Sequence, residues 1–294
     1  MLELRQISHH YPGAQRAALS QIDLHLQAGQ CLGLLGSNGA GKTTLLSLIS
    51  GVLAVQQGKM HWDSQPRLGL IPQQLAFYGA LRVAENLNLF ADLYHLRGAE
   101  RRQQLAQCID VCALGSLLKR RSEQLSGGEQ RRLNFAIGLL QPADLYLFDE
   151  ATVGVDASNR QPLLGAVEQL CAAGKAVIYT SHYLEEVERV AQRILLLHEG
   201  QVRLDVDKRQ LLGDNHGLLL EWPQQVPAGI TELIHSLQLS AEALPRGLRI
   251  NRLDAAQLQA ITRFVSQQTP LPSLLRFGRP SLEQLYLQLN GGRL

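Results

Sequence analysis

Long uninterrupted apolar runs are missing from this chain of 294 residues. None reaches the roughly 18 residues that a membrane-spanning helix needs, so work at a bilayer would have to go through a partner. Cysteine is scarce: Cys31, Cys108, Cys112 and Cys171 are scattered. Cys108 and Cys112 could share a helix face, but no second Cys/His pair at zinc spacing accompanies them. Reduced core thiols are therefore expected, not a disulfide framework or a zinc site. The start, Met1-Leu2-Glu3-Leu4-Arg5, has no basic stretch ahead of an apolar one, and no secretory leader is expected. An excess of one charge is also missing: 28 Lys+Arg against 26 Asp+Glu leave a net charge of +2. The sequence pI of 8.4 falls short of the value above about 9 typical of nucleic-acid-binding domains. The doublets Arg101-Arg102, Arg120-Arg121 and Arg131-Arg132 have Gln or acidic residues close by and read as solvated helix faces.

The chain does carry 45% hydrophobic residues and 26 glycines, an ordinary globular composition that excludes general disorder. A chain of this length buries about 75% of its unfolded surface and needs no covalent staple. It suits one large domain or two unequal ones. Leu2, Leu4 and Ile7, then Ile22, Leu24 and Leu26, alternate with polar residues; this is strand periodicity, split by a turn at Tyr11-Pro12-Gly13. Cys31 to Leu35, Leu145 to Phe148 and Ala176 to Tyr179 are continuous apolar runs of buried-strand type. Ile194 to Leu197 and Gln201 to Leu204 flank His198-Glu199-Gly200 as a hairpin, and residues 81 to 140 read as mostly helical. The composition shifts near Gly213, and Lys208 is the last lysine. Beyond it lie strand-like segments at Leu218 to Trp222 and Leu248 to Ile250. Two capping boxes follow, Asp254-x-x-Gln257 and Ser281-x-x-Gln284. The expected organisation is α/β with a helical insertion at about 78–142, over 1–212, followed by a small α+β domain over 213–294.

The run Gly36-Ser37-Asn38-Gly39-Ala40-Gly41-Lys42-Thr43-Thr44 follows a buried strand and opens a helix. It contains a complete Walker A pattern. Its glycines let backbone N–H groups wrap phosphate oxygens at a helix N-terminus, Lys42 reaches the β- and γ-phosphates, and the Thr43 hydroxyl ligates Mg²⁺. This implies a nucleoside triphosphate. Asp149 and Glu150 end the second buried strand, where α/β sheets bind ligands. Asp149 is expected to hold Mg²⁺ through water, and Glu150 to act as general base on the attacking water.

Leu125-Ser126-Gly127-Gly128-Glu129-Gln130 resembles the signature sequence of ATP-binding cassette (ABC) ATPases. The resemblance covers about residues 1–212, with its motifs in the family's order. It implies a P-loop NTPase cassette, a mixed sheet with an N-terminal antiparallel β region and a helical insertion. It also implies that Ser126, Gly127 and Gly128 complete the site of an opposite subunit, although a plain polar turn is the alternative for Ser-Gly-Gly alone. Tyr11 matches the aromatic that stacks on adenine, the alternative being a simple hairpin aromatic. Gln73 matches the glutamine that senses Mg²⁺ and the attacking water, with Gln74 as a competing choice. His182 matches the switch histidine that contacts the γ-phosphate, and Asp156 the carboxylate of the loop by which subunits communicate. Ala151 stands where the family usually has proline. Gln73 follows Lys42 by only 31 positions, so the antiparallel β region is expected to be trimmed. Pro280-Ser281-Leu282-Glu283-Gln284-Leu285-Tyr286-Leu287 resembles the closing segment of exporter-type cassettes.

The resemblance implies a cytoplasmic ATPase, peripheral on the inner face of the membrane, that uses ATP and Mg²⁺. Two copies, or one copy and a paralogue, would close around two nucleotides and move a transmembrane permease subunit. That subunit would dock at Leu75-Ala76-Phe77-Tyr78, with export favoured. A soluble cassette ATPase acting on nucleic acid or ribosomes is the alternative class. Ser126 follows Thr43 by only 83 positions, too few for the long coiled coil of the DNA-linked types, and there is one cassette rather than two. No direct nucleic-acid partner is expected. A regulator without turnover would not need Asp149, Glu150 and His182 intact.

Overall fold

The computed structural model describes residues 1–212, 217–250, 252–278 and 282. The chain separates into two compact units, Met1–Lys208 and Arg209–Leu294. The division falls slightly before the 212 read from composition, because the last strand of the first unit, Gln201–Asp207, ends its sheet there.

In the first unit, β1 (Leu2–His9) and β2 (Leu19–Leu26) bury alternate residues, as a sheet with one covered face requires. After β3 (Cys31–Leu35) and α1 (Lys42–Ile49) comes β4 (Gln57–Trp62), which pairs with β1 to give a three-stranded antiparallel sheet of order β2-β1-β4. The remaining strands of this unit are β5 (Leu68–Ile71), β6 (Leu145–Asp149), β7 (Ala176–Thr180), β8 (Arg193–His198) and β9 (Gln201–Asp207). With β3 they form a six-stranded sheet of order β5-β6-β7-β3-β8-β9. All its pairings are parallel except β8 with β9. Every residue of β3, β6 and β7 is buried, so these strands read as solid apolar runs instead of alternating. The β6-β7-β3 order has a direct consequence. It brings the carboxyl ends of three adjacent parallel strands to one edge, so Asp149, Thr180 and the loop after Leu35 lie side by side.

Between β5 and β6 run α2 (Val83–Leu93), α3 (Gly98–Val111) and α4 (Gly127–Leu140). Buried polar groups pin this segment. Asn86 on α2 accepts from the Tyr78 N–H and donates to the Tyr78 carbonyl and the Ser122 hydroxyl, each at 2.9 Å. Arg132 on α4 donates to the carbonyls of Cys112 and Ala113, at 2.9 and 2.7 Å, closing the end of α3. Helix α5 (Ala157–Ala172) follows β6 and α6 (Leu184–Val190) follows β7, while α7 (Lys208–Leu212) runs out of β9. Burial pushes the Cys108 thiol up to about 12 and that of Cys112 well above its ordinary value, so both stay protonated.

The second unit holds β10 (Gly217–Glu221), α8 (Ile230–Ser236), β11 (Ala241–Leu244), β12 (Gly247–Ile250), α9 (Ala255–Ser266) and β13 (Leu274–Gly278). Its strands form an antiparallel sheet of order β11-β12-β10-β13. Trp222, Ile230, Ile261 and Val265 lie in its core. Helix α9 starts at a reciprocal Asp254–Gln257 capping box, worth about 1 kcal/mol as an N-cap. The Ser281–Gln284 box and the exporter-like segment Pro280–Leu287 lie outside the described residues, apart from Leu282, which is buried.

Candidate active site

The loop from Gly36 to Thr44 is shaped by its glycines. Gly41 has φ +103° and would place a Cβ 2.5 Å from the Ala18 carbonyl oxygen, so no other residue fits there. Ser37, Asn38 and Gly39 form an exposed crest, whereas Ala40 is buried beneath it. The Lys42 ammonium folds over this loop and donates to the carbonyls of Gly36 and Ser37, at 2.7 and 3.2 Å. Burial pulls its pKa down, opposed by the negative charges of Glu150 and Asp149. On the next residue, the Thr43 hydroxyl donates to Asp149 Oδ2 at 3.0 Å. The Thr44 hydroxyl lies 3.3 Å from the Tyr11 hydroxyl. Tyr11 is 41% exposed and stands edge-on to His9, with ring centroids 4.9 Å apart.

Across the strand ends, Thr180 ties the Asp149 carboxylate to the Glu150 backbone. Its hydroxyl donates to Asp149 Oδ1 at 3.0 Å and accepts from the Glu150 N–H at 3.0 Å. Glu150 itself adopts a left-handed backbone, φ 51°. That conformation costs a non-glycine residue on the order of 1–3 kcal/mol and is found where surrounding structure enforces it. Its effect is to turn the carboxylate out of the strand direction and toward two donors. Gln73 Nε2 donates to Glu150 Oε2 at 2.8 Å, and His182 Nε2 lies 2.8 Å from Glu150 Oε1. Gln73, Asp149, Glu150, His182, Lys42 and Thr43, taken from four separate stretches of sequence, are thereby joined at one edge. Between the two adjacent glutamines, it is the Gln73 amide that meets Glu150.

Ser126, Gly127 and Gly128 stand apart from this cluster. Ser126 caps α4: its hydroxyl accepts from the Glu129 N–H at 3.3 Å, and Glu129 Oε2 accepts from the Ser126 N–H at 2.7 Å. A Cβ on Gly128 would lie 2.9 Å from the Gly154 carbonyl oxygen, whereas one on Gly127 would meet nothing within 4 Å. Among the described residues, no hydrogen bond or ion pair links these three to the Gly36–Thr44 loop. Asp156 caps α5, and hydrogen bonds from the Ser158 side chain, then from Asn159, hold its carboxyl well below the usual range.

The sequence reading passed over two residues that grip the Gln73 segment from α4. Arg131 Nη1 donates to the Gln73 carbonyl at 2.5 Å. Asn134 accepts from the Ala76 N–H at 2.8 Å and donates to the Pro72 carbonyl at 3.2 Å. Their i, i+3 spacing on a helix was the available signal, but nothing local told which loop they would meet.

This geometry can bind a polyphosphate at the helix N-terminus and hold a carboxylate beside it. The profile of the ABC transporter family matches residues 19–153. The chain is also 31% identical to the linearmycin resistance ATP-binding protein LnrL of Bacillus subtilis, over 100% of this chain and 99% of that protein. The chain belongs to the ABC transporter ATP-binding proteins. It is an ATP-hydrolysing subunit that drives a transporter. The ABC subunit is 30% identical to the Nod factor export ATP-binding protein I of Cupriavidus metallidurans, over 74% of each chain. It is similar to a solved ATP-binding subunit of an ABC transporter, with 25% identity and a TM-score of 0.66 over 72% of this chain and 91% of that one. Among its described residues, no helix is long and apolar enough to cross a membrane.

Proposed function

We propose that this ABC subunit powers export, working as a dimer with a second copy or a paralogue, and that Glu150 is its catalytic base. The observation that carries the reading is the pair of 2.8 Å contacts holding the Glu150 carboxylate between Gln73 and His182, beside the phosphate loop. Lys42 would exchange its two loop carbonyls for β- and γ-phosphate oxygens, the backbone N–H groups of Gly36 to Thr44 would hold the phosphates, and Tyr11 would stack on adenine. The Thr43 hydroxyl and Asp149 carboxylate, bonded at 3.0 Å, are hard oxygen donors that fit Mg²⁺, with Gln73 beside them. Bound there, the ion supplies positive charge to the phosphate oxygens. Glu150 takes the proton from the attacking water, Gln73 orients that water, and His182 contacts the γ-phosphate.

The exposed Ser126-Gly127 crest, without ties to its own phosphate loop, supports a role in completing the opposite subunit's site. We read residues 1–212 as the nucleotide-binding domain, with 78–142 as its helical subdomain, and 213–294 as an accessory domain. Exposed Leu75 and Tyr78 favour docking of a transmembrane permease at the entry to that subdomain, which would keep this subunit cytoplasmic and peripheral to the membrane. Relatives named for linearmycin resistance and Nod factor export favour the outward direction.

The deciding experiment is Glu150→Gln. It should lower ATP turnover roughly 10²–10⁴-fold while ATP drives the chain to a stable dimer on gel filtration. Turnover near the parental rate would remove Glu150 from the role of base.

A further inference from the structure

A second polar network lies behind the catalytic cluster. Glu186, on α6, is only 3% exposed, and a carboxylate so far from water must be paired. Its Oε2 accepts three hydroxyl hydrogen bonds, from Thr152 at 2.7 Å, Tyr179 at 2.9 Å and Ser181 at 2.6 Å. Its Oε1 faces Arg160 Nε, 3.2 Å away. The Arg160 guanidinium, on α5, also donates to the Val155 carbonyl at 2.9 Å and sits over the Tyr183 ring, 4.2 Å from its centroid. The Ser181 hydroxyl in turn accepts from the Tyr183 N–H at 3.0 Å.

These partners bracket the groups assigned to chemistry. Thr152 lies just past Glu150, Val155 immediately precedes Asp156, and Ser181 and Tyr183 flank His182. Among the described residues, none of the network's hydrogen bonds or ion pairs reaches the Gly36–Thr44 loop that would hold the phosphates. A buried ion pair is a poor device for stability alone, since well-packed apolar residues of the same volume do as well or better. It does offer a fixed orientation: one carboxylate held by three hydroxyl donors and an ion-paired guanidinium leaves the loops bearing Glu150, Asp156 and His182 a single mutual arrangement.

We propose that Glu186, paired with Arg160, is a positioning residue for hydrolysis: it sets His182 and the Asp156 loop against Glu150 without touching nucleotide. This rests on the roles given to Glu150 and His182 above. Misplacing reacting groups slows the chemical step, whereas nucleotide binding through the phosphate loop and Tyr11 is left alone.

The test is steady-state ATPase kinetics of the full chain carrying Glu186→Gln, with Ser181→Ala and Glu150→Gln measured alongside. Glu186→Gln should lower kcat roughly tenfold with KM for ATP within about twofold of the parent. Ser181→Ala, which removes one hydroxyl and keeps the ion pair, should lower kcat about threefold, again at constant KM. If Glu186→Gln fails to fold, Ser181→Ala alone carries the decision. A kcat within about twofold of the parent in the deciding variant, or a rise in KM at constant kcat, overturns the proposal. Glu150→Gln separates the two failures. Loss of turnover there with a normal Glu186→Gln rejects only the positioning role, and retained turnover rejects the site reading together with it.

Discussion

The two glycine-opened helix starts of the first unit are built from similar residues and end up in opposite conditions. At α1 the loop is closed on itself. Lys42 is spent on two carbonyls of its own loop, Thr43 on Asp149, and Gly41 is wedged against the Ala18 carbonyl. At α4 the end is open. Ser126 is satisfied by its own capping box, Ser126 and Gly127 are exposed, and a side chain could be added at Gly127 without meeting any atom. Both present N–H groups and the positive end of a helix dipole, so both can receive an anion. The difference is in what the fold demands: glycine is enforced by the fold at position 41 and is not at 127. The proposal that Gly127 meets an opposite subunit accounts for a glycine that the isolated chain does not need.

Gly127→Asp breaks that comparison most severely. Aspartate at the first turn of a helix is favourable for the helix itself, and the open space at Gly127 accepts it. The chain should fold with unchanged thermal stability and bind ATP as the parent does. Turnover should nevertheless drop roughly 10²–10³-fold, the scale of losing transition-state charge stabilisation, because a carboxylate now faces the incoming phosphates. Calorimetric ATP binding and phosphate release, measured on the same preparation, check both halves. Weakened binding in monomeric chain would mean that Gly127 serves its own nucleotide, and the distinction between the helix starts would be lost.

The same contrast marks how far sequence reasoning reaches. Cys31–Leu35, Leu145–Phe148 and Ala176–Tyr179 are legible as buried strands because parallel strands covered on both faces are solid apolar runs, and the strands observed there extend one residue further at Asp149 and Thr180. The phosphate loop was legible because backbone wrapping demands glycine at fixed spacing. What could not be read was the β6-β7-β3 neighbourhood, which depends on pairings between distant segments. Hence the sequence favours Gln73 but leaves Gln74 as a competitor, while in the fold it is the Gln73 amide that lies 2.8 Å from Glu150. Arg131, Asn134 and Glu186 look like ordinary helix residues, since their meaning lies in loops far along the chain. In the second unit, α8, β11 and β13 went unread. Strand β13, Leu274 to Gly278, has no alternation of burial to betray it, with Leu274, Leu275, Arg276 and Phe277 all exposed. Pro162 likewise sits inside α5, where local rules signal a helix break.

An intermediate effect is expected where the open and closed regions meet. Arg131 stands on the helix that begins at the open end, yet its guanidinium holds the Gln73 carbonyl, and Gln73 holds Glu150. Arg131→Met keeps the aliphatic stem and removes that grip. A charge-assisted hydrogen bond on a half-buried group is worth about 1 kcal/mol net, so kcat should fall about fivefold. ATP affinity should not change, because no phosphate-loop residue is touched. Stopped-flow phosphate release at saturating ATP measures this, and an unchanged rate would show that the two ends of α4 work independently.

The smallest effect concerns the open end alone. Above all the hydrogen bond from the Ser126 N–H, and to a lesser degree the Ser126 hydroxyl and the Arg120 charge, hold the Glu129 carboxyl below its ordinary value of 4.5. A carboxylate lowered in the folded state stabilises that state fully above its unfolded pKa, and the contribution is lost as pH falls through the lower folded value. The capping box at Ser126 should therefore loosen only below about pH 4.5. The protection of the first-turn amides of α4 against hydrogen exchange, corrected for the intrinsic pH dependence of exchange and read against that of α1, should fall there as the solution is acidified. Glu129→Gln retains an acceptor but not the charge, so it should flatten the pH response at a cost below about 1 kcal/mol. If α1 amides loosen in step with those of α4, the acid effect is global and the capping box does not set the local stability of the open end.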